Sequence, residues 1–323
     1  MSTTTPALPT SMPTSMRGVV MHAPGEVTVE DREVPRIVEP TDAILKIEVA
    51  CICGSDLWPY RGISPLAAAR PMGHEYIGTV VEVGEEVTSV KPGDFVVGSF
   101  CVSDNTCEIC EDGFQSRCIH GGFMGDTQAQ YTRVPLADGT LVVVPGGKPE
   151  DPDVVANLLA ASDVLGTGWF GAVAAAAGPG KTIAIVGDGA VGLSAVLAAK
   201  ALGSEQVIAF SRHEDRAALA REFGADVVIA ERGDEGAAKV KELTGGYGAH
   251  GVSLDGQQLF GAEVNMLGGP APVRRFLPDL IDRILKREIH PGRVFTMRLP
   301  LERAAEGYAA MDERRAIKVL LEI

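Results

Sequence analysis

A glycine-rich turn between an apolar segment and a helical segment constrains the fold of this chain more than any other feature. Thr182–Val186 is continuously apolar, residues 193–202 have helical character, and between them lies Gly187-Asp188-Gly189-Ala190-Val191-Gly192. A strand, a G-x-G-x-x-G turn and a helix in this order predict a dinucleotide site, because the glycines let a pyrophosphate approach the helix N-terminus. The candidate cofactor-binding residues of the turn are Gly187, Gly189, Ala190, Val191 and Gly192. A glycine-rich loop without a ligand is the less favoured alternative.

The end of the next predicted strand bears on the form of the cofactor. Residues 206–210 are followed by Ser211-Arg212-His213, where an NAD-dependent protein places an acidic residue against the ribose hydroxyls. An arginine can pair with a 2′-phosphate and a serine hydroxyl can donate to it. Ser211 and Arg212 therefore predict NADP(H) in preference to NAD(H). Ser211 and Glu214 could also form a capping box for the following helix, which is compatible with that role.

A second group of residues has the composition of a metal site. Cys53-Gly54-Ser55-Asp56 is followed twenty residues later by Gly73-His74-Glu75. Thiolate and imidazole suit zinc, and a catalytic zinc usually takes three protein ligands and leaves one position open. A lone cysteine or histidine is more often a structural residue, so their spacing and context carry the prediction.

The order of these motifs, with a cysteine-rich lobe between them, resembles the zinc-dependent alcohol dehydrogenases of the medium-chain dehydrogenase/reductase family. The resemblance extends from about Arg17 to the C-terminus. It implies an α/β fold with a GroES-like irregular β-barrel catalytic domain at 17–150, to which 289–323 return. A Rossmann domain with a doubly wound parallel sheet is expected at 151–288. Residues 1–16, rich in Ser, Thr and Pro, are expected to form a disordered tail.

The resemblance also implies a zinc ligand set. Cys53, His74 and Asp163 would hold a catalytic zinc, with helix capping as the alternative role of Asp163. Glu75 would be an outer carboxylate or a ligand that exchanges with water, and Asp56 would orient His74.

Further roles in catalysis follow from the same resemblance. Zinc would lower the pKa of the substrate alcohol, Ser55 would accept its proton, and hydride would pass to the nicotinamide. Trp58 stands where several relatives have a proton-relaying histidine, and indole cannot take that role. Trp58 and Phe100 are expected to line the substrate pocket, and core packing is the alternative.

The cysteine-rich lobe contains three quarters of a structural zinc site. Cys107, Cys110 and Cys118 have the family spacing, and Asp104 stands where the family has a fourth cysteine. A carboxylate can ligate zinc, so a Cys3Asp site is predicted by a narrow margin. Alternatively Cys101 completes the site, or the lobe holds no metal and is closed by hydrogen bonds.

The chain departs from the family after Asp255. The family would continue with a helix and a strand that ends beside the nicotinamide, whereas here residues 257–260 lead directly to a predicted edge strand at 263–268. One helix and one strand are therefore expected to be missing near 255. Residues omitted from the sequence are favoured over a true deletion, because loss of an interior strand would leave two sheet edges unpaired.

Composition narrows the choice of partners and compartment. A formal net charge of −14 argues against nucleic acid as a partner. No signal peptide or long apolar segment is present, so the prediction is a cytoplasmic protein without a membrane partner. Six cysteines confined to 51–118 then favour metal binding over disulfides. By the resemblance the substrate is a small alcohol or carbonyl compound, and 263–268 would pair subunits in a homodimer or homotetramer.

Four interpretations of function follow. The favoured one is a zinc-dependent oxidoreductase that transfers a hydride between an alcohol, or its aldehyde or ketone, and NADP(H). A specialised polyol or formaldehyde dehydrogenase is a narrower alternative of the same class. A catalytically impaired nucleotide-binding or zinc-binding member of the family is the alternative from another class, motivated by the break near 255 and by Asp104. A zinc-free quinone reductase is less favoured.

Overall fold

The computed structural model describes residues 12–245 and 269–323. The chain divides into two compact units, Met1–Gly166 with Pro272–Ile323 and Thr167–Ala271. The strands are β1 (Ser15–Ala23), β2 (Glu26–Glu33), β3 (Ala43–Ile52), β4 (Arg70–Pro71), β5 (Tyr76–Val83), β6 (Phe95–Gly98), β7 (Cys101–Val102), β8 (Gly122–Phe123), β9 (Tyr131–Val134), β10 (Leu141–Val143), β11 (Thr182–Val186), β12 (Gln206–Phe210), β13 (Val227–Ile229), β14 (Phe295–Pro300) and β15 (Lys318–Glu322). The helices are α1 (Leu57–Tyr60), α2 (Glu108–Glu111), α3 (Ala137–Thr140), α4 (Pro152–Ala161), α5 (Val164–Ala174), α6 (Ala190–Ala201), α7 (Glu214–Glu222), α8 (Gly233–Leu243), α9 (Val273–Leu285) and α10 (Ala304–Asp312), and short 3₁₀ segments lie at Gln115–Arg117, Pro291–Val294 and Leu301–Arg303.

The first unit is built on a seven-stranded sheet. Its hydrogen-bonded order is β10-β6-β5-β3-β15-β14, and β9 pairs with the first half of β3. The inward side chains form a buried cluster that includes Leu45, Ile47, Tyr76, Val80 and Val96. Alternation of such residues along a strand buries one face of the sheet and fixes the register, because a slip of one residue would turn that face to solvent.

The pairing of β3 with β5 brings two distant parts of the sequence to one end of this sheet. The strands are antiparallel, and Ala50 at the end of β3 pairs with Tyr76 at the start of β5. Residues that follow β3 and residues that precede β5 must therefore emerge side by side. Cys53 follows β3 directly, and His74 and Glu75 immediately precede β5.

The C-terminal segment adds two strands to the same sheet. β15 pairs antiparallel with β3, with Val319 opposite Ile52, and parallel with β14. The helical segment at 301–312 and the strand at 318–322 agree with the prediction of a helix followed by a strand. Lys318, the first residue of β15, is thereby placed at the end of β3 from which Cys53 emerges.

The second unit contains a parallel sheet of the order β11-β12-β13. Residues Thr182 to Val186 of β11 pair in register with Gln206 to Phe210 of β12. α6 follows β11 and α7 follows β12, which is the strand–helix alternation expected from the glycine-rich turn. The predicted strands at 251–255 and 263–268, and the break near 255, lie outside the described residues.

Several sequence expectations differ from the structure. The strands of the first unit form open sheets among the described residues, so the hydrogen-bonded strands do not close the expected barrel. β1 begins at Ser15, two residues inside the segment expected to be disordered. α9 groups with the first unit although it was assigned to the nucleotide-binding domain.

The described helices were also compared with the requirements of a membrane span. None of them is by itself long and apolar enough to cross a bilayer. Only the consecutive helices α4 and α5, bent by 53° relative to each other, pass the length and composition criteria as a pair. Most residues of α4 are buried within the protein.

A buried ion pair anchors the loop before β3 to β9. The side chain of Asp42 is fully buried and accepts hydrogen bonds from the Arg133 guanidinium at 2.5 and 3.0 Å. It also accepts from the backbone N–H groups of Val38 and Glu39 at 2.9 and 2.7 Å. Burial alone would raise the pKa of Asp42, but these bonds outweigh it and hold the pKa below its ordinary value.

We expect Asp42→Asn to lower the free energy of unfolding by about 2 kcal/mol at pH 7, because it removes charge-assisted bonds from a buried group. Since the folded pKa is depressed, this contribution exists above the ordinary value of 3.8 and is lost as the pH falls through the folded pKa. The difference between variant and wild type should therefore narrow in acid. Chemical denaturation at several pH values measures it.

Asp31→Asn is the matched control. Asp31 is 78% exposed and pairs with Arg17 at 3.5 Å, so its removal should change stability by less than about 1 kcal/mol. Equal losses in the two variants, or a loss for Asp42→Asn that does not depend on pH, would contradict the account of the buried pair.

Candidate functional site

The structure brings four candidate ligands together at the end of the large sheet. One ligand atom from each of Cys53, His74, Glu75 and Asp163 lies within 4.8 Å of the other three. Asp163 reaches the cluster from the short connection between α4 and α5. Cys53, Glu75 and Asp163 are buried and His74 is nearly so. These residues are separated by up to 110 positions in the chain.

The distances within the cluster fit a tetrahedral cation. Cys53 Sγ lies 3.8 Å and His74 Nε2 lies 3.5 Å from Asp163 Oδ2. Ligands about 2.0–2.3 Å from a tetrahedral zinc are roughly 3.3–3.8 Å from one another. The three side chains named as ligands from the sequence therefore already stand at suitable separations for zinc, without rearrangement of the backbone.

The charge balance of the cluster also favours a cation. Burial and the nearby Glu75 carboxylate raise the pKa of the Cys53 thiol. Burial also raises the pKa of Glu75, although Lys318 acts in the opposite direction. Burial lowers the pKa of His74, but the carboxylates of Asp56 and Asp163 outweigh it and raise that pKa. A divalent cation would relieve this concentration of buried acidic groups, since it stabilises the deprotonated ligands.

Glu75 is held by a lysine that the sequence analysis did not single out. Lys318 Nζ lies 2.6 Å from Glu75 Oε1 and 3.1 Å from the carbonyl oxygen of Ile52, and both side chains are at most 1% exposed. The other carboxylate oxygen, Oε2, has no hydrogen-bond partner among the described residues. A buried carboxylate oxygen left unpaired beside three potential metal ligands is consistent with an ion at this position.

A chain of buried polar groups contacts the Nδ1 side of the His74 ring, opposite the side that faces Asp163. His74 Nδ1 lies 3.5 Å from Asp56 Oδ1. Asp56 Oδ2 accepts from the backbone N–H of Cys53 at 2.9 Å and from Gln128 Nε2 at 3.1 Å. The hydroxyl of Tyr308 donates to Gln128 Oε1 at 3.0 Å. This network fixes the imidazole orientation and leaves Nε2 directed at Asp163, as expected for a metal-binding histidine.

The residue before His74 must be a glycine for the turn to close. Gly73 has a φ of +95°, and a Cβ atom there would lie 2.6 Å from the backbone nitrogen of Gln128. A side chain would therefore meet both a steric clash and an unfavourable backbone conformation. The Gly-His-Glu order thus positions His74 against the segment that carries Gln128.

Aromatic rings border the cluster on one side. The ring of Phe100 lies 6.3 Å from the His74 ring, edge on, and stacks on Phe123 of β8 with centroids 6.1 Å apart. Phe123 is 64% exposed and Trp58, in α1, is 58% exposed, so neither is a core residue. Ser55 is exposed in the turn between Cys53 and α1.

The lobe forms a second potential metal site. One ligand atom from each of Asp104, Cys107, Cys110 and Cys118 lies within 4.8 Å of the others. Asp104 Oδ2 lies 2.6 Å from His120 Nδ1, and Oδ1 accepts from the backbone N–H groups of Thr106 and Cys107. Both the Cys3Asp arrangement and the hydrogen-bonded loop considered for this lobe are thus present in one structure.

Cys101 does not belong to the lobe cluster. It lies in β7, is 1% exposed and is not among the four grouped ligands. Burial, and after it the charge of Asp163, raises the pKa of its thiol to about 12. Its absence from the four grouped ligands disfavours Cys101 as a fourth lobe ligand.

The glycine-rich turn of the second unit has the form needed for a dinucleotide. Gly187 has a φ of +119°, and a Cβ atom on Gly192 would lie 2.0 Å from the carbonyl oxygen of Gly187. No side chain of the described residues caps the N-terminus of α6, whose cap residue is Gly189. Val191 is 41% exposed and Val186 is 84% exposed at the same end of β11. The free N–H groups of α6 could therefore hold a pyrophosphate.

Ser211 and Arg212 lie at the end of β12, beside this turn. The buried hydroxyl of Ser211 donates to Asp188 Oδ2, 2.8 Å away, while Arg212 is exposed and its Nε donates to the carbonyl oxygen of Ala230 at 3.1 Å. The capping box expected from Ser211 and Glu214 does not form. The cap residue of α7 is His213, so Ser211 lies two residues too early for that role.

Several residues of the site escaped sequence reasoning. Lys318 gave a signal, because it is a single charge inside the apolar run 317–321. The sequence signal for Asp188 was weaker: it is an acidic residue in the first variable position of the glycine turn. Gln128, Tyr308 and Phe123 gave none, since only the tertiary structure brings them to the cluster.

Two family models match the chain. The model described as Alcohol dehydrogenase GroES-like domain matches residues 39–146, and the model described as Zinc-binding dehydrogenase matches residues 190–255. The second match ends at the position where the sequence departs from the family. The first match contains Cys53, His74 and the lobe cysteines, and the second begins within the glycine turn at Ala190, so Asp163, Gly187 and Gly189 lie between the two.

Individual relatives agree with these models. Zinc-type alcohol dehydrogenase B of Aspergillus flavus is 33% identical over 350 residues, which cover 94% of this chain and 81% of the relative. A medium chain reductase/dehydrogenase of an Acremonium species is 37% identical over 253 residues, covering 74% of this chain and 85% of its own. Alcohol dehydrogenase TADH from Thermus sp. ATN1 superposes with a TM-score of 0.82 at 28% identity, covering 95% and 99% of the two chains.

The Aspergillus alignment bears on the missing helix and strand. It spans 350 positions but takes in only 94% of a 323-residue chain, so that relative has residues without a counterpart in this sequence. With the two domain matches in their family order, this extent of similarity is sufficient for assignment. The chain belongs to the zinc-dependent alcohol dehydrogenases of the medium-chain dehydrogenase/reductase family.

Proposed function

We propose that the protein transfers a hydride between a small alcohol, or its aldehyde or ketone, and NADP(H), with zinc at the cluster of Cys53, His74 and Asp163. Membership of the family supports an oxidoreductase. The observation that carries the proposal is the convergence of four donor atoms within 4.8 Å from three separate parts of the chain, three of them on buried residues. A site of that composition suits zinc and keeps a coordination position available for substrate.

Each residue of the cluster then has a defined task. When bound, zinc supplies a Lewis acid that acidifies an alcohol or polarises a carbonyl, and the nicotinamide accepts or gives the hydride. Asp56 holds His74 Nδ1, so that Nε2 stays available as a ligand. Ser55 accepts the substrate proton from its exposed turn. Phe100 supplies an apolar wall and, with Phe123, limits access of water to the reacting atoms.

The preference for NADP(H) is proposed from the residues at the end of β12. The three residues directly after this strand, at 211–213, include no acid, and Arg212 is exposed there with only its Nε atom engaged, by the carbonyl oxygen of Ala230. Arginine is well suited to a 2′-phosphate because its planar group donates two parallel hydrogen bonds. The open N-terminus of α6 supports binding of the pyrophosphate that both cofactors share.

The lobe is proposed to hold a second zinc through Asp104, Cys107, Cys110 and Cys118. His120 would orient the carboxylate of Asp104 by the 2.6 Å contact between Nδ1 and Oδ2. This ion would stabilise the lobe and take no part in hydride transfer. A cytoplasmic location and a homodimer or homotetramer remain part of the proposal, by analogy with the family.

We expect the purified protein to contain up to two zinc ions per chain. Cys53→Ser should remove one of them and lower turnover of alcohols with NADP⁺ by about a thousandfold or more, because the Lewis acid contributes several kcal/mol to the barrier. Elemental analysis and steady-state kinetics with a panel of primary and secondary alcohols measure the two effects.

Cys101→Ala is the matched control for the zinc content. It removes another buried thiol near the cluster that is not among the grouped ligands, so both ions should remain. A zinc content in Cys53→Ser equal to that of wild type would contradict the ligand assignment. Zinc present with no hydride transfer to either cofactor would favour the catalytically impaired alternative instead.

Lys318 is expected to stabilise the site by offsetting the charge of Glu75. Lys318→Met leaves a buried carboxylate without its cation, so we expect a loss of about 3–5 kcal/mol in the free energy of unfolding. The double variant Lys318→Met with Glu75→Gln should lose less than Lys318→Met alone, because no uncompensated charge remains. Chemical denaturation of the variants in a double-mutant cycle measures the coupling.

Lys286→Met is the exposed control, because Lys286 pairs with Asp282 on the surface of α9 and is 59% exposed. Its effect should stay below about 1 kcal/mol. Additive losses in the cycle would show that Lys318 and Glu75 do not act as a pair.

A further inference from the structure

An acidic residue lies beside the ribose end of the proposed cofactor site. It comes from the glycine turn and not from the positions directly after β12. Asp188 is in the glycine turn, and its Oδ2 accepts from the hydroxyl of Ser211 at 2.8 Å. Arg216, in the first turn of α7, places Nη1 3.5 Å from Asp188 Oδ1 and 3.4 Å from its carbonyl oxygen. The turn after β11 and the residues after β12 are thus joined through one carboxylate.

The three side chains form a compact and largely buried group. The side chains of Arg216 and Asp188 are only 12% and 15% exposed, and Ser211 is 4% exposed. The Ser211 hydroxyl also lies 3.2 Å from the carbonyl oxygen of His213, so its proton has two acceptors and Asp188 is the nearer. The hydroxyl proposed to donate to a 2′-phosphate is therefore already engaged by a carboxylate.

The chemistry at this position decides between the two nicotinamide cofactors. They differ only in the ribose 2′ group, which is a neutral hydroxyl in NAD(H) and a phosphate in NADP(H). A carboxylate accepts a hydrogen bond from the hydroxyl and repels the phosphate, whereas arginine attracts the phosphate. Asp188 and Arg216 offset each other as an ion pair, which leaves the exposed Arg212 as the net positive charge of the group.

We propose that Asp188 is a specificity-determining residue that limits the preference for NADP(H) and keeps NAD(H) usable. It takes the place of the acid that β12 lacks, supplied from the glycine turn of the neighbouring strand. Arg216 has the opposite role, because it offsets the charge of Asp188 and so permits a 2′-phosphate. The inference rests on the proposed nicotinamide function and adds to it the residue that sets the selectivity.

Binding measurements on the full chain test this proposal without turnover. Isothermal titration gives the Kd of NADP⁺ and NAD⁺, and of 2′-phospho-ADP-ribose and ADP-ribose, which lack the nicotinamide. Asp188→Asn keeps an oxygen that can accept from Ser211 but removes the charge. We expect it to favour the phosphorylated member of each pair by about tenfold more than wild type does, as expected for removing one nearby like charge.

Two further variants make the result specific. Arg216→Gln should shift the ratio of Kd values in the opposite direction, since the charge of Asp188 is then no longer offset. Asp215→Asn is the matched control, because it removes an equal charge from an exposed residue adjacent to Arg216. Its ratio should stay within about twofold of wild type. Thermal denaturation of each variant identifies effects that come from unfolding.

The outcomes separate this inference from the function on which it rests. Wild type that binds cofactors, with Asp188→Asn changing both members of a pair equally or not at all, would overturn the role of Asp188 and leave the proposed function standing. Equal shifts in Asp188→Asn and Asp215→Asn would reduce the effect to general surface charge and also overturn it. Failure of wild type to bind either pair would overturn both.

Discussion

The buried acidic groups at the end of the large sheet are the constraint on which the rest of the site depends. A thiol and two carboxylates share a small volume with one imidazole, and burial raises the pKa of both Cys53 and Glu75. The unfavourable desolvation of such groups has to be offset by positive charge. Lys318 provides one cation, at 2.6 Å from Glu75. A divalent ion among the other ligand atoms would provide the remainder.

The fold delivers these groups through ordinary strand pairing. Because β3 and β5 are antiparallel, the chain after one and the chain before the other meet at the same sheet end, with Cys53 on one side and His74 on the other. β15 then adds to β3 and places Lys318 there, although 243 positions separate it from Glu75. The C-terminal segment also contributes Tyr308, which acts on His74 through Gln128 and Asp56. Loss of the C-terminal strand would therefore disturb the metal site as well as the sheet.

Part of the fold and of the site could be predicted from the sequence, because it depends on the properties of neighbouring residues. The strand, glycine turn and helix of the second unit follow from apolar periodicity and from the steric freedom of glycine, and the structure has them at β11, 187–192 and α6. Asp163 was identified only through resemblance, since spacing along the chain says nothing about a ligand 110 residues from Cys53. The predicted GroES-like domain is confirmed by the family match at 39–146, but its described strands form open sheets, because strand alternation specifies faces and not closure. The contact of Ser211 with Asp188 was missed because the crossover from β11 through α6 to β12 separates the two residues in the sequence.

Buried or partly buried pairs of opposite charge occur at two positions in the protein. At the metal cluster, a buried cation permits a carboxylate to remain near other acidic groups. At the end of β12 in the second unit, Asp188 and Arg216 are similarly paired, and under the proposal above the balance between them would set which cofactor the exposed Arg212 favours. At both positions one charge offsets another, and the groups that remain unpaired are the ones available to a ligand. Sequence motifs alone do not reveal these pairs.

Anomalous diffraction at the zinc absorption edge, from crystals of the full chain, tests the central claim most directly. The account predicts a peak about 2.0–2.4 Å from Cys53 Sγ, His74 Nε2 and an oxygen of Asp163. A zinc peak confined to the lobe of Asp104 and Cys107, with Cys53 and His74 bound to no metal, would contradict it.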